Sequence, residues 1–307
     1  MNPQTSRLGS IISKKSPQQR QRAYKSLVPY LLLMPALLIL VSLIIYPLIY
    51  SLSKSFTDFN LGMPGEQFIG LQNFILAFKD ATFLNSLKVS VLYSIFAIFC
   101  ELVLGFTAAI LLRQRFFASG VITVLLFLPM MVTPVVVGII WLLMFQPDFS
   151  VINGLLLYLG IDGPIWLQHP ITALMAVVIA DIWQWTPFFT MVLLAGLLSL
   201  PEEILEAAKV DGASGWRMFW SITVPLLAPL ILVVLLIRLI DSFKIFDPIF
   251  VMTNGGPGEA TQVLSLLIYR TGLPYMNISY ASAMSYIFLI LMTITTTLLI
   301  NQLRKTR

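Results

Sequence analysis

Residues 199–229 read SLPEEILEAAKVDGASGWRMFWSITVPLLAP. Their polar residues are ordered. Ser199 and Glu202 have the S-x-x-E spacing of a capping box, with Pro201 in the first turn. The helix this predicts runs through Ile204, Leu205, Ala207 and Ala208. Glu202, Glu203 and Glu206 fall in its N-terminal half, where the helix dipole favours acids. Asp211-Gly212 ends it. Ser214 can cap a second helix, on which Trp216, Phe219 and Trp220 cluster on one face. Pro225 and Pro229 mark the start of the next apolar run. A helix this short is marginal alone. It must pack on its own membrane domain or in a groove on a partner.

Outward from this hairpin the chain is apolar. Of its 307 residues 58% are hydrophobic and only 11% charged, and mean hydropathy is +0.90. Soluble domains have roughly 45–50% and 25%, so these values exclude a soluble enzyme, a disordered chain and a disulfide scaffold. They predict an all-α polytopic membrane protein. A helix needs about 20 apolar residues to cross the hydrocarbon core. Six runs qualify: about Leu27–Leu52, Val89–Leu112, Val121–Phe145, Ile171–Leu198, Val224–Phe250 and Ser279–Leu303. The chain thus divides into a basic tail 1–26, a first span 27–52, an outer loop 53–88, a core 89–303 containing the loop 199–223, and a short end 304–307. Weak alternation argues against an outer-membrane barrel. The first run is too long for a signal-peptide core and follows a polar tail.

Charge sets direction. Thirteen basic residues fall on one side of these spans. They are Arg7, Lys14, Lys15, Arg20, Arg22 and Lys25 in the tail, Arg113 and Arg115, Lys209 and Arg217, and Arg304, Lys305 and Arg307. Lys54, Lys79, Lys88 and Arg270 fall on the other. The positive-inside rule places both termini in the cytoplasm. The net charge of +5 is therefore a topology signal and implies no nucleic acid.

The connections carry weaker signals. The first outer loop mixes the turn residues Gly62, Pro64 and Gly65 with a helical stretch, Leu71–Lys79, whose Phe74, Ile75 and Phe78 suit a membrane surface. Gln146–Pro170 holds Asp148, Asp162 and the only histidine, His169, which without neighbouring ligands predicts no metal site. Asn254-Gly255-Gly256-Pro257-Gly258 is a tight turn. The apolar Val263–Ile268 after it is too short to span and predicts a surface helix. The lone Cys100 reads as a small apolar filler.

Ionisable groups inside a span face the protein interior or a water-filled cavity. Here they are Glu101, Asp181, Arg238, Asp241 and Lys244. Arg238, Asp241 and Lys244 repeat at i+3, so an intrahelical charge ladder is expected, either as a structural pairing or as part of a substrate path. Asp181 and Trp185 share a face at i, i+4. A carboxylate beside an indole suits a sugar, whose hydroxyls bond the acid and whose C–H face stacks on the ring. Packing or interfacial anchoring is the other reading of Trp183 and Trp185. Glu101 precedes Gly105, Ala108 and Ala109, which fits close helix contact.

Glu206-Ala207-Ala208-Lys209-Val210-Asp211-Gly212-Ala213, with Ile222, Pro225 and Pro229, resembles the EAA loop of bacterial ABC importer permeases. Ser242-Phe243, Phe246-Asp247 and Val251–Gly258 are similar to the carbohydrate-importing subfamily, of the maltose-permease-F or glycerol-phosphate-permease-A type. Pro29-Tyr30 through Tyr46-Pro47, Ser55–Asp58, Phe68–Leu71 and Asn73-Phe74 extend the resemblance over nearly the whole chain from residue 27. The chain differs from the maltose-type subunit in lacking two extra N-terminal spans and a large periplasmic insertion.

The resemblance implies the six-span type I importer permease fold, a multi-pass location in the bacterial cytoplasmic (inner) membrane, and one half of a pore for a sugar or glycoside. It implies a coupling role for Glu206, Ala207, Ala208, Asp211 and Gly212, docked on an ATP-hydrolysing subunit. It places Met130, Met131, Val135, Asp181, Trp183, Trp185, Arg238, Asp241 and Ser242 along the substrate path. The implied partners are a second permease subunit, two ATP-binding cassette subunits and an extracytoplasmic binding protein. The chain has no G-x-x-x-x-G-K-[ST] run, so ATP and Mg belong to the partner, and no cofactor, metal or catalytic residue is expected here. Glycerol 3-phosphate or its diesters is the alternative substrate. An ion-coupled secondary transporter with Glu101 or Asp181 as proton carrier is the remote one, opposed by the lack of an inverted repeat. An intramembrane enzyme would need a Ser-His pair or an H-E-x-x-H helix, and neither occurs.

Overall fold

The computed structural model describes residues 30, 32–114, 117, 119–147 and 150–305. The basic tail, the start of the run predicted from Leu27, Pro29, Arg115, Asp148 and Arg307 lie outside them. Among the described residues the regular structure is helical, with one isolated bridge, Thr57 to Phe68. The chain forms two compact units, residues 1–53 and 54–307. α1 (Leu32–Ser55), whose last two residues belong to the second unit, is apolar on every side within the first and contains one π turn at Val41–Ile45.

The second unit follows the apolar runs. Its elements are α2 (Gln72–Lys79), α3 (Ala81–Arg113), α4 (Ser119–Phe127), α5 (Pro134–Met144), α6 (Val151–Tyr158) and α7 (Pro170–Ser199), followed by α8 (Glu202–Val210), α9 (Gly215–Met218), α10 (Val224–Phe243), α11 (Asp247–Met252), α12 (Leu264–Gly272) and α13 (Ile278–Lys305). By length and composition five helices can cross a membrane, or six if one bent pair counts as a span.

That bent pair corrects the straight third span. The run folds as Ser119–Met131 and Pro134–Met144, bent by 102°. Pro134 explains it: a residue before proline is pushed out of the helical region. Thr133 is extended at φ −67°, ψ 145°. The carbonyl of Val132, exposed by the break, accepts from Gln184 Nε2 at 3.0 Å.

α3 and α7 share the most extensive helix–helix interface. Gly105 sets their approach. A Cβ there would sit 2.4 Å from Phe189 Cβ and 3.1 Å from the Thr190 nitrogen. Small residues allow such contact in membranes, and Ala109, one turn on, is fully buried.

Three further expectations are corrected. The Val263–Ile268 run forms α12, but Leu264 and Leu266 are fully buried, so it is a wedge among longer helices and not a surface helix. The Ser199 capping box does not form: Ser199 ends α7 and its hydroxyl donates to Gly196 O at 2.7 Å, leaving Pro201 to start α8. The helix after Ser214 is not separate. It is capped by Ser214, which accepts from Arg217 N at 3.3 Å, and continues through a π turn at Phe219–Thr223 into α10.

The loops gather at two ends. At one, Tyr280 donates to Asp80 Oδ2 at 2.6 Å and Asn85 Nδ2 to Glu259 O at 3.2 Å. At the other, Arg113 lines an apolar groove of about 690 Å3 with Trp216, Phe219 and Trp220.

Gly105→Val should force α3 and α7 apart. Overpacking of this kind costs about 1–3 kcal/mol. The expected outcome is a lower melting temperature in detergent and less monodisperse protein on gel filtration, whereas Gly120→Val, with open space around it, should change neither.

Candidate functional site

The centre of the second unit is an ion cluster built from three helices. Arg238 of α10 is 2% exposed, Glu101 of α3 fully buried and Asp181 of α7 2% exposed. Arg238 Nε donates to Glu101 Oε2 and Nη2 to Glu101 Oε1, both at 2.8 Å. Nη2 also donates to Asp181 Oδ2. The guanidinium carbon lies 4.9 Å from the centre of the Trp185 ring. Only arginine offers this combination, a planar fork for a bidentate carboxylate and a face for an aromatic ring.

This corrects the expected ladder on α10. Arg238 reaches across to Glu101 and Asp181 and leaves Asp241 to Lys244, whose Nζ is 3.7 Å from Asp241 Oδ1. The Asp241–Lys244 pair is substantially exposed, so it adds little to stability.

A cavity of about 240 Å3 opens beside the cluster. Asp181, Gln184 and Trp185 line it from α7, Arg238 and Asp241 from α10, and Lys244 from just past the end of α10. Pro134 and residues 245–248 close the rest. A carboxylate and an indole therefore do meet at one opening within the bundle, where an acceptor for hydroxyls and a ring for C–H stacking stand side by side.

Of the residues expected along the path, Asp181, Trp185, Arg238 and Asp241 come together here. Trp183 faces the other way, with its ring 5.9 Å from that of Trp141. α7 continues unbroken through Pro187, which keeps Trp183 off the Asp181 face. Met130 and Met131 sit on a 3₁₀ turn, Leu128–Met131, and with Val135 flank Pro134 without lining the cavity. Ser242 donates to Ser94 of α3 at 2.6 Å in a buried helix contact.

A second feature lies at the other end of α7. In α8, Leu205 and Ala208 turn inward, while Glu206, Ala207, Asp211 and Gly212 are exposed. Ala213 N donates to Ala208 O at 2.9 Å and Gly212 N to Lys209 O at 3.0 Å. That is a Schellman turn, and Gly212 supplies its φ of +76°. The helix end is thus closed internally, leaving an acid-and-alanine face free. Among the described residues no group of three or more His, Cys, Asp or Glu side chains is placed to hold a metal ion.

Residues 101–305 match the family model described as "binding-protein-dependent transport system inner membrane component". The chain belongs to this family. The permease is 39% identical over 84% of its length, and 84% of the relative's, to a probable ABC transporter permease, y4oQ, of Sinorhizobium fredii. It is 37% identical over 78% of its length, and 82% of the relative's, to the trehalose/maltose transport system permease MalF of Thermococcus litoralis. Its fold matches a chain of a bacterial ABC transporter involved in import of the acidic polysaccharide alginate, with a TM-score of 0.79, 23% identity, and 92% and 99% of the two chains covered.

Several residues in or behind the permease's cavity were not expected there. Glu101, which lies behind Arg238 and outside the cavity lining, carries in the sequence only the packing signal of the Gly105 and Ala109 that follow it. Gln184 is a lone amide in an apolar run, between Asp181 and Trp185, and that position was the available signal. Lys244 and Asp247 stood in the sequence as a ladder member and part of a motif, without a place in a cavity.

Replacing Arg238 by Met should be severely destabilising, because Glu101 and Asp181 would be left buried against each other. Breaking a buried ion pair by removing one partner costs about 3–5 kcal/mol. Thermal unfolding should show that loss, and the triple change Arg238→Met, Glu101→Leu, Asp181→Asn should recover most of it.

Proposed function

We propose that this permease forms one half of the pore of an ATP-driven, binding-protein-dependent importer for a sugar or glycoside, disaccharides such as trehalose or maltose included. The observation that carries the reading is the free face of α8. A nine-residue helix is not stable by itself. This one is anchored through Leu205 and Ala208, and it offers Glu206, Ala207, Asp211 and Gly212 to a partner. The alanine and glycine allow close backbone approach, and the acids pair with basic groups across an interface. The relative that transports trehalose and maltose by its name, and the carboxylate–indole cavity, support the sugar.

In this reading two cytoplasmic ATPase subunits, holding ATP and Mg, grip α8 here and its counterpart in a second permease subunit. A binding protein delivers solute at the end of the bundle formed by Asp80, Tyr280 and Glu259. Closure of the ATPases on ATP moves the coupling helices and opens the pore to the delivering side, and hydrolysis resets it. Asp181, Trp185 and Asp241 contact the solute, and Arg238 holds Asp181 in place. The permease sits in a bacterial inner membrane with both termini in the cytoplasm, on the side of α8. Arg113 shares that end with Trp216 and Trp220, which agrees with the basic bias of the sequence.

Glu206→Lys tests the coupling. Reversing a charge at a docked interface costs enough to lower uptake about tenfold or more, with membrane insertion unchanged. Normal ATPase-dependent uptake by this variant would remove Glu206 from the role. Affinity purification of the permease should bring an ATPase and a second permease with it. Solute movement by the chain alone in liposomes would overturn the whole reading.

A further inference from the structure

We infer that the cavity beside Asp181 excludes anions and takes an uncharged solute, and that Glu101, which does not touch the cavity, sets this selectivity from behind Arg238. The inference rests on the reading of this cavity as part of the solute path.

The argument is one of charge. The cavity is lined by three carboxylates, Asp181, Asp241 and Asp247, and two cations, Arg238 and Lys244. Taken alone, Arg238 would make an inviting anion site, since a guanidinium binds carboxylate, sulfonate or phosphate in bidentate fashion. Its fork is already filled. Nε and Nη2 both point at Glu101, whose two oxygens accept from it at 2.8 Å. That bidentate geometry is the one an ionised carboxylate adopts with arginine. The face of the guanidinium is covered by the Trp185 ring. Lys244 has its own acid, Asp241, at 3.7 Å.

Glu101 and Asp181 thus share the single positive charge of Arg238, so the three groups together carry a net negative charge at the cavity wall, with Asp247 adding to it. An entering anion meets a net negative opening, and the Nε–Nη2 edge of the guanidinium is already taken. An uncharged polyol meets carboxylate acceptors for its hydroxyls and an indole face. Glu101 is a positioning residue: it acts through Arg238 and never touches the solute.

The test reads the sign of the cavity without needing the natural solute. In the assembled transporter, with Cys100→Ala to remove the native thiol, Ile245→Cys places one thiol on the cavity wall. Three methanethiosulfonate reagents then report on it: one neutral, one carrying a trimethylammonium and one a sulfonate. The rate ratio of cationic to anionic reagent is normalised to that of a free thiol in solution, which cancels any change in the thiol's own reactivity.

The expected ratio is about tenfold or more in favour of the cation, from one unit charge acting oppositely on the two reagents at close range. Glu101→Gln, nearly isosteric, should reduce it several-fold. The double change Glu101→Gln with Arg238→Gln removes a neutral pair and should return the ratio to the parent value. A purely structural role for Glu101 predicts no such reversal. A parent ratio at or below one overturns the inference, and so does a double variant as low as Glu101→Gln. If Glu101→Gln fails to assemble, the parent and double-variant ratios still decide. Failure of the neutral reagent to reach the thiol would be a different result: the cavity would then not be on an aqueous path, and the solute-path reading would fall along with this one.

Discussion

A guanidinium inside a membrane domain must be paired, and the pairing of Arg238 fixes how three helices stand against one another. The register repeats along each of them. On α3, Glu101, Gly105 and Ala109 follow at i, i+4, i+8 and all are buried. On α7, Asp181, Trp185 and Phe189 share the spacing, with Trp185 half-buried at the cavity, and on α10 Val234, Arg238 and Ser242 share it and are buried. Phe189, two turns along from Asp181, lies on Gly105, one turn along from Glu101, and Ser242 reaches Ser94 on the other side of the guanidinium. The contact at Gly105 is what brings Glu101 close enough to pair. The ion cluster in turn punishes any slip, because a shift of one residue would leave a charge buried without its partner. Packing supplies the proximity here, and the charges supply the register.

How much of this could be read beforehand depends on whether the signal was local. The apolar runs gave the spans, since twenty apolar residues leave a helix few other solutions. The α8 hairpin was legible because its helix, its Asp211-Gly212 turn and the Ser214 cap lie within sixteen residues. The break in the third span was not, although Pro129 and Pro134 announced it. Hydropathy records how apolar a run is and is blind to its direction. The buried α12 was missed because its run is too short to cross a membrane. A short helix can still be fully covered when longer ones surround it. The charge ladder formed at Asp241–Lys244 only. Spacing at i+3 suggested that Arg238 would pair within its own helix, yet its partners lie 137 and 57 residues away. A periodicity rule weighs only neighbours on one helix. It has no access to a fully buried bidentate acid on another, which wins because it also solves that acid's own desolvation.

The same two helices that build the cavity also flank the hairpin, and this bears on how force could travel between them. α7 carries Asp181 and ends at Ser199, where α8 follows after two residues. That is about 27 Å of unbroken helix at 1.5 Å per residue. α10 carries Arg238 and is continuous, through the π turn, with the Ser214 cap on the far side of the hairpin. In the proposed coupling, a displacement of α8 would therefore reach both members of the Asp181–Arg238 contact, along two rods of unequal stiffness. The α7 rod is tightly packed by Gly105 and Gly196 against its neighbours. The α10 rod contains a π turn, Pro225 and Pro229 close to the hairpin, where the backbone ladder is interrupted and bending is cheap. Compliance is concentrated near the hairpin and rigidity near the ion cluster. Under the proposed coupling, a pull on α8 would bend the first turns of α10 before it separated Arg238 from its acids, and the cavity wall would move as a unit with its charge intact.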